Sequence, residues 1–417
     1  MKRVDQVFGI STTVRPDSYV DRGELDERIQ LLLTRNTHVA LRGESKCGKS
    51  WLRQQNIPNA IVVQARLGRT VTDLYVDALS QLQIEFTVQK TRSTNIKGSV
   101  KATGSIGTRI LGALGLEVAG EASRDTGSES APAGRNIDDL RHVAEIIRES
   151  GRRFVIEDFH YLSIEERRCL SFDIKAFWDY QLYVVIVGVW SRNNMLLTLN
   201  PDLSGRIEEL SIYWSNEDLS RILERGGRSL GITFTQSVVD KLTSISFGNA
   251  GILQQLTVGA LDKLGIVNER LDEAISSVSA VDDAALSYAS QLEALYSNFA
   301  ARVSGGIRAR HDSTGIYPHT LAVLFACTDD DLIQGVPFAR IFQAARGRQA
   351  RIQSGNLKVI LGKFEELQVD DRGAGLILSW NPATETVSVV DRQILLYRQY
   401  CTVKWPWEEL IAESEQS

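Results

Sequence analysis

The sequence predicts an α/β protein: a parallel sheet, then a helical region, then a C-terminal unit of helices and a hairpin. Three observations predict it. Short apolar runs alternate with segments of helical periodicity between residues 37 and 189, the pattern of a parallel sheet with crossover helices. The first run leads into Gly43-Glu44-Ser45-Lys46-Cys47-Gly48-Lys49-Ser50, which reads G-x-x-x-x-G-K-S. A later run, Phe154-Val155-Ile156, ends in two acids, Glu157 and Asp158.

The elements follow in order. Asp17 to Arg22 precedes a helix from Glu24 to Thr34, with Leu25, Ile29, Leu32 and Leu33 as its apolar positions. Thr37 to Leu41 is a strand, and a helix can start at Gly48. A strand is expected at Ala60 to Gln64 and a helix at Thr70 to Leu82, where Leu74, Val76, Leu79 and Leu82 share one side. From Thr91 to Gly134 Gly, Ser, Thr and Ala dominate, which reads as an insertion over about residues 88–135. Within it Ser99 to Ile106 alternates like a hairpin strand, and Arg124 to Ser130 reads as a mobile loop. The insertion is either a surface loop or a hairpin that contacts a partner or nucleic acid.

The core pattern resumes with a helix near Ile137 to Arg148, the acidic-ended strand, a helix from Ile164 to about Trp178, and a strand from Tyr183 to Val189. These complete a first domain, residues 1–212. Ser215 to Val267 is purely helical in period and forms an expected lid, 213–275. A linking helix, Asp282 to Arg302, lies in 276–310 and is broken by Gly305-Gly306. In 311–405, helices at Pro318 to Ala326, Pro337 to Arg346 and Asn356 to Leu367 precede strands Gly375 to Trp380 and Thr386 to Val390. Three helices and a hairpin are the order of a winged helix-turn-helix. Residues 406–417 read as a tail.

Composition narrows the class. The chain has 417 residues, 43% apolar and 24% charged, ordinary for a globular protein of two or three domains. A net charge of −5 argues against polyanion binding by bulk charge, though one face could bind. Cys47, Cys169, Cys327 and Cys401 are far apart, which suits a reducing compartment and gives neither a disulfide framework nor a zinc site. No apolar run follows Met1-Lys2-Arg3, and none approaches 18 residues, so neither a leader nor a membrane span is expected and a cytoplasmic protein is.

The motif at 43–50 resembles the phosphate-binding loop of P-loop NTPases, and its strand-before, helix-after context fits. Backbone N–H groups wrap the phosphates at the positive end of a helix. Lys49 then reaches the β- and γ-phosphates, and the Ser50 hydroxyl binds Mg²⁺. The bland alternative is a glycine-rich turn that happens to carry Lys-Ser. Catalysis also needs acids on a second strand, and Glu157-Asp158 supplies them; paired acids repel at a strand end unless a cation separates them. Either Glu157 holds the metal and Asp158 activates water, or the reverse; an exposed acidic turn is the plain alternative. The strand end Trp190-Ser191-Arg192-Asn193-Asn194 places polar groups between the two motifs, toward the γ-phosphate. Arg206 reads equally as an arginine finger for a neighbouring subunit or as a surface arginine. No Asn-Lys-x-Asp or Thr-Lys-x-Asp follows the acidic strand, which disfavours guanine.

The last unit could read DNA. From Ala301 to Trp405 there are 13 Lys/Arg and 10 Asp/Glu, a net of +3. Arg308, Arg310, Arg346, Arg348 and Arg351 precede the third helix with Lys358 and Lys363, a spacing that suits phosphate contacts. Glu365, Glu366, Asp370 and Asp371 at that helix's end oppose it, and winged helices also serve as protein-contact modules.

Taken in order, Tyr19-Val20-Asp21-Arg22, the phosphate loop, Ile156-Glu157-Asp158-Phe159-His160, Gly188-Val189-Trp190-Ser191, Gly205-Arg206, the lid and the winged helix resemble the AAA+/STAND group of P-loop ATPases. The resemblance runs over roughly residues 10 to 400, near origin-recognition-type initiators and their bacterial STAND relatives. It implies ATP and Mg²⁺ as cofactors, bound by Gly43 to Ser50 and Trp51, with Tyr19 and Val20 against the adenine. It places Ser191 and Asn193 at the sensor-1 position and Gly248 to Leu253 at the start of the sensor-2 helix. Two departures suit a slow switch better than a motor. Glu157-Asp158 stands where many members have Asp-Glu, and Ala250-Gly251 provides no sensor-2 arginine. No nuclease, protease or deaminase motif is recognisable, so a separately encoded effector is expected, in bacterial signalling or defence against invading DNA, with a homo-oligomer as the assembly. The alternatives are a DNA-binding ATPase of the initiator or transposition-regulator kind and an ATP-locked scaffold.

Overall fold

The computed structural model describes residues 1–22, 24–89, 97–115, 140–190, 195–306, 315–368 and 375–416. They form two compact units. One joins Asp21–Gly43 to Lys49–Ile212; the other joins Met1–Val20, Glu44–Gly48 and Tyr213–Ser417.

The first unit is built on seven strands. They are β1 (His38–Arg42), β2 (Ala60–Gln64), β3 (Ile84–Gln89), β4 (Lys97–Ala102), β5 (Arg153–Glu157), β6 (Val184–Gly188) and β7 (Ile207–Ser211). Five make a parallel sheet in the order β2-β5-β6-β1-β7. The central strands read as unbroken apolar runs because helices cover both faces; every residue of β6 is buried. β7 was not apparent in the sequence. It is an edge strand, and Ile-Glu-Glu-Leu-Ser alternates too weakly to announce one. Phe177, on the helix Ile164–Asp179, packs edge-on against Tyr75 and Phe154, with ring centroids 5.7 and 6.4 Å apart. Losing such a ring from the core would cost about 3–5 kcal/mol.

The insertion begins as an antiparallel hairpin, β3 with β4, in the register Ile84 opposite Ala102. The alternation read at Ser99–Ile106 is this strand, but it stops earlier. Ser105 and Ile106 instead start a helix, Ser105–Ala113. Arg124–Ser130 lies outside the described residues.

The second unit shares one apolar core running from Val4 to Ile411. Its lid region holds helices Asn216–Leu230, Gln236–Ser244 and Ala250–Lys263. Ser215 caps the first through a capping box with Asp218, and Gly231, in the left-handed conformation, ends it. The region is not purely helical: β8 (Ile232–Phe234) pairs in parallel with β9 (Glu273–Ile275). Three-residue strands are too short to break a helical period in sequence. The linking helix is longer than its sequence pattern, 28 residues from Val278 to Gly305, about 42 Å. Gly306, at φ +62°, caps it.

Helices Ile316–Phe325, Asp329–Gln334, Phe338–Arg348, Ser354–Gly362 and Phe364–Gln368 follow. The helix expected over 356–367 is therefore two, divided at Lys363. β10 (Val336–Pro337), β11 (Leu378–Asn381) and β12 (Thr386–Val389) form an antiparallel sheet in the order β10-β12-β11. Two more helices end the chain, Gln393–Tyr400 and Pro406–Gln416. Trp407 on the last is 2% exposed and stacks on Trp405 at 4.4 Å, so this segment is packed into the core. No described helix is long and apolar enough to cross a membrane.

Candidate nucleotide-binding site

The phosphate-loop motif is divided between the units. In the sheet unit, β1 ends at Arg42 and the helix Lys49–Asn56 begins at the motif lysine. Lys49 Nζ donates to the Gly43 carbonyl at 3.0 Å, so the ammonium lies folded back on the start of its own motif. Ser50 is exposed and Trp51 half-buried on the first turn of that helix. Arg53 lies one turn further on. Its Nε is 3.0 Å from Glu157 Oε1, and the two side chains are 11% and 9% exposed.

Glu157 is the last residue of β5, and its carbonyl accepts from Ala65 N–H at 2.9 Å. Asp158 leaves the strand in the left-handed conformation, φ +59°, which Asp tolerates better than most residues. Burial raises the Asp158 carboxyl above the ordinary range and the neighbouring Glu157 raises it further, while Lys49 opposes both. His160 follows in a short helical turn. Its Nδ1 accepts from the Val189 N–H at 3.2 Å, tying the acidic turn to the end of β6. Burial pushes this imidazole down to about 4, with Lys49 and Arg167 adding to the shift.

β6 lies between β1 and β5, so its C-terminal end falls between the lysine and the acids. Trp190 there donates from Nε1 to Glu209 Oε2 at 3.1 Å, and Glu209 pairs with Arg42 at 2.8 Å. Ser191 and Asn193 lie outside the described residues. A strand followed by the G-x-x-x-x-G-K-S motif and a helix, in a parallel sheet whose strand two places away runs into Glu157-Asp158, decides the class. The fold is that of a P-loop NTPase.

The share of the loop in the other unit runs from Glu44 to Gly48. Lys46 and Gly48 have φ of +64° and +92°. Cys47 is buried, and its carbonyl accepts from Trp214 Nε1 at 2.8 Å. Asn249 holds the loop from the lid side. Its Nδ2 donates to the Ser45 carbonyl at 3.0 Å and to Glu44 Oε2 at 3.2 Å. Its Oδ1 caps the helix Ala250–Lys263 by accepting from Gly251 N–H at 2.9 Å. Gly251 is needed for this approach: a Cβ there would stand 2.5 Å from Lys46 Cβ and 2.7 Å from the Lys46 carbonyl oxygen. The segment read as lacking a sensor-2 arginine is thus a close contact with the loop.

The junction after β12 reaches the same loop. Arg392 Nε pairs with Glu44, and its Nη1 donates to the Phe247 carbonyl. Gln393 Oε1 accepts from Lys46 Nζ at 2.9 Å and also from the Tyr288 hydroxyl. Asp391 accepts from Gln393 Nε2 at 3.0 Å and from the Tyr296 hydroxyl at 2.9 Å. Sequence reasoning missed Arg53, Trp214, Arg392 and Gln393. Only Arg53 had a local signal, its four-residue spacing from Lys49.

Val20 is 3% exposed in the core of its unit and Tyr19 is half-buried. Arg206 lies 5.1 Å over the Trp178 ring and donates to the Asp202 carbonyl. Arg346, Arg348 and Arg351 are exposed, and Lys363 is half-buried. Lys358 is 2.7 Å from Glu385 and lies 4.9 Å over the Phe338 ring. Arg308 and Arg310 lie outside the described residues.

No protein-family model matches this chain, and no curated protein does. Solved structures do. It is similar to the Aeropyrum pernix Orc1 protein, solved with DNA, at 12% identity over 92% of this chain and 93% of that one, with a TM-score of 0.39. It is similar to the Thermotoga maritima RuvB Holliday junction branch migration motor at 13% identity over 91% and 96%, with a TM-score of 0.36. A signal transduction ATPase with numerous domains (STAND) and a tetratricopeptide repeat sensor, from Pyrococcus horikoshii, matches at 12% identity with a TM-score of 0.35. This chain is covered over 94% there but spans only 44% of that protein. These neighbours are AAA+ P-loop ATPases.

Proposed function

We propose that this chain is a Mg²⁺-dependent ATPase with slow turnover that acts as a nucleotide switch on a partner effector. The observation that carries the reading is Lys49 opening the helix that follows β1, with Glu157 ending β5 two strands away and Asp158 next to it. Gly43 to Ser50 would hold the phosphates, and Ser50 with one of the two acids would hold Mg²⁺. The donor set fits that ion. A hydroxyl and a carboxylate are hard oxygen donors, and Mg²⁺ takes one or two such protein ligands, completing its shell with phosphate and water. When bound it neutralises charge on the β- and γ-oxygens.

A switch is supported by the company the loop keeps. Glu44 and Lys46, side chains of the motif itself, are engaged by Arg392 and Gln393 at the C-terminal junction. The helices of 316–368 and the sheet β10-β12-β11 support reading this region as a winged helix. Its exposed Arg346, Arg348 and Arg351 keep a DNA-binding ATPase of the initiator or transposition-regulator kind as the second reading. Cytoplasmic location and self-assembly belong to the same proposal.

The test is Lys49→Ala. It should weaken ATP binding or hydrolysis at least about tenfold, roughly 1.4 kcal/mol, in a chain that still folds. Unchanged affinity and turnover would remove the nucleotide site. Hydrolysis stimulated by DNA would favour the second reading, and stimulation by a protein partner the first.

A further inference from the structure

We infer that Arg53 is a positioning residue that anchors Glu157, leaving Asp158 as the carboxylate that meets the cation of a bound nucleotide. The inference rests on the nucleotide-binding reading and settles which of the paired acids does what. Arg53 sits four residues after Lys49 on the helix Lys49–Asn56, so both cations leave the same side of that helix. Arg53 Nε meets Glu157 Oε1 at 3.0 Å with both side chains about nine-tenths covered. Glu157 is also fixed through its backbone, since its carbonyl accepts from Ala65 N–H beside β2.

A cation that took Glu157 as a ligand would have to displace a guanidinium already desolvated against it. Breaking one side of a buried pair leaves an uncompensated charge, which is costlier than never forming the pair. Asp158 is in the opposite condition. Its left-handed backbone turns it out of the strand. Among the described residues no side chain donates a hydrogen bond to its carboxylate. An acid held by a neighbouring arginine serves as an anchor, and the adjacent acid without a donor is the one open to Mg²⁺.

Arg53 thereby also limits how many carboxylates meet the cation. It withholds a second carboxylate that would otherwise join the site. Removing it should convert Glu157 from anchor to ligand.

The experiment uses the full chain with Mn²⁺ in place of Mg²⁺. Mn²⁺ binding is followed by electron paramagnetic resonance with ATP present, ATP affinity is measured in chelator, and melting is followed in parallel. Asp158→Asn should weaken Mn²⁺ binding at least about tenfold while metal-free ATP affinity stays within threefold. Glu157→Gln should lower the melting temperature and leave Mn²⁺ affinity within threefold. Arg53→Met should lower the melting temperature yet tighten Mn²⁺ severalfold, and adding Glu157→Gln should abolish that gain. A merely structural arginine would not produce the gain. Loss of Mn²⁺ in Glu157→Gln with retention in Asp158→Asn would overturn the assignment. Failure of the wild type to bind ATP would instead overturn the nucleotide reading and the cation role with it. The melting of the single and double variants would still decide the Arg53–Glu157 anchor.

Discussion

Arg392 is ion-paired with Glu44, so a residue just past the last strand of the chain holds a side chain of the phosphate loop. The two side chains are 18% and 19% exposed, covered enough for the pair to count and open enough for it to break. Gly248 makes room for the arginine: a Cβ there would stand 2.6 Å from Arg392 Nη1. The lid end, the loop and the C-terminal junction are thus one polar assembly within their unit.

Arg392→Ala should cost about 1–3 kcal/mol, because Glu44 and the Phe247 carbonyl both lose a donor. If the loop is the nucleotide site, bound ATP should also exchange faster, since the loop is held by fewer contacts. Denaturant unfolding and the release rate of a fluorescent ATP analogue measure the two effects. An unchanged release rate would confine Arg392 to stability.

Gly251→Ala separates steric need from helix preference. Alanine favours a helix by about 1 kcal/mol over glycine. The Cβ, however, would stand 2.7 Å from the Lys46 carbonyl oxygen, a backbone atom that cannot swing aside. We expect a net loss of roughly 1–3 kcal/mol and weaker ATP binding, seen by urea unfolding and nucleotide titration. A stabilised variant would mean that the loop moves freely away from the lid.

Arg206→Ala tests two roles at once. Its cation–π contact with Trp178 predicts a loss of about 0.5–1 kcal/mol in stability. A finger role predicts slower hydrolysis without weaker ATP binding, and wild-type specific activity that rises with protein concentration. Mixing Arg206→Ala with Lys49→Ala should then recover some activity. A silent mixture together with a lowered melting point would assign Arg206 to the sheet edge alone.

The pH dependence of stability has a defined sign. Burial holds His160 at about 4 and His38 at about 3, both below the ordinary imidazole value of about 6.5. Their stabilisation is therefore full above about pH 6.5 and is lost as pH falls toward those values, since the unfolded chain binds protons the fold excludes. Asp158 and Asp173, both raised by burial, run the other way and blunt the slope. Between pH 7 and 5 His160 should account for roughly 2 kcal/mol of lost stability, so His160→Asn should show a shallower fall in denaturant unfolding. Equal slopes would show that the buried ring is not a proton-excluding group.

The sequence by itself determined the local elements of the candidate nucleotide site. Gly43 to Ser50 and the apolar run ending in Glu157-Asp158 are contiguous in the chain, and β1, β5, β6 and the helix from Lys49 follow from periods of a few residues. Tertiary structure alone decided what each of those side chains meets. Glu44 finds Arg392, Lys46 finds Gln393, and Gly251 lies against Lys46, all across stretches of chain that no local pattern links. The same holds for β7, whose weak alternation becomes a strand only because β1 offers it an edge, and for the three-residue β8 and β9, which exist through each other. Periodicity reports burial along one element, whereas pairing depends on which elements pack together, and that is fixed only when the whole core forms.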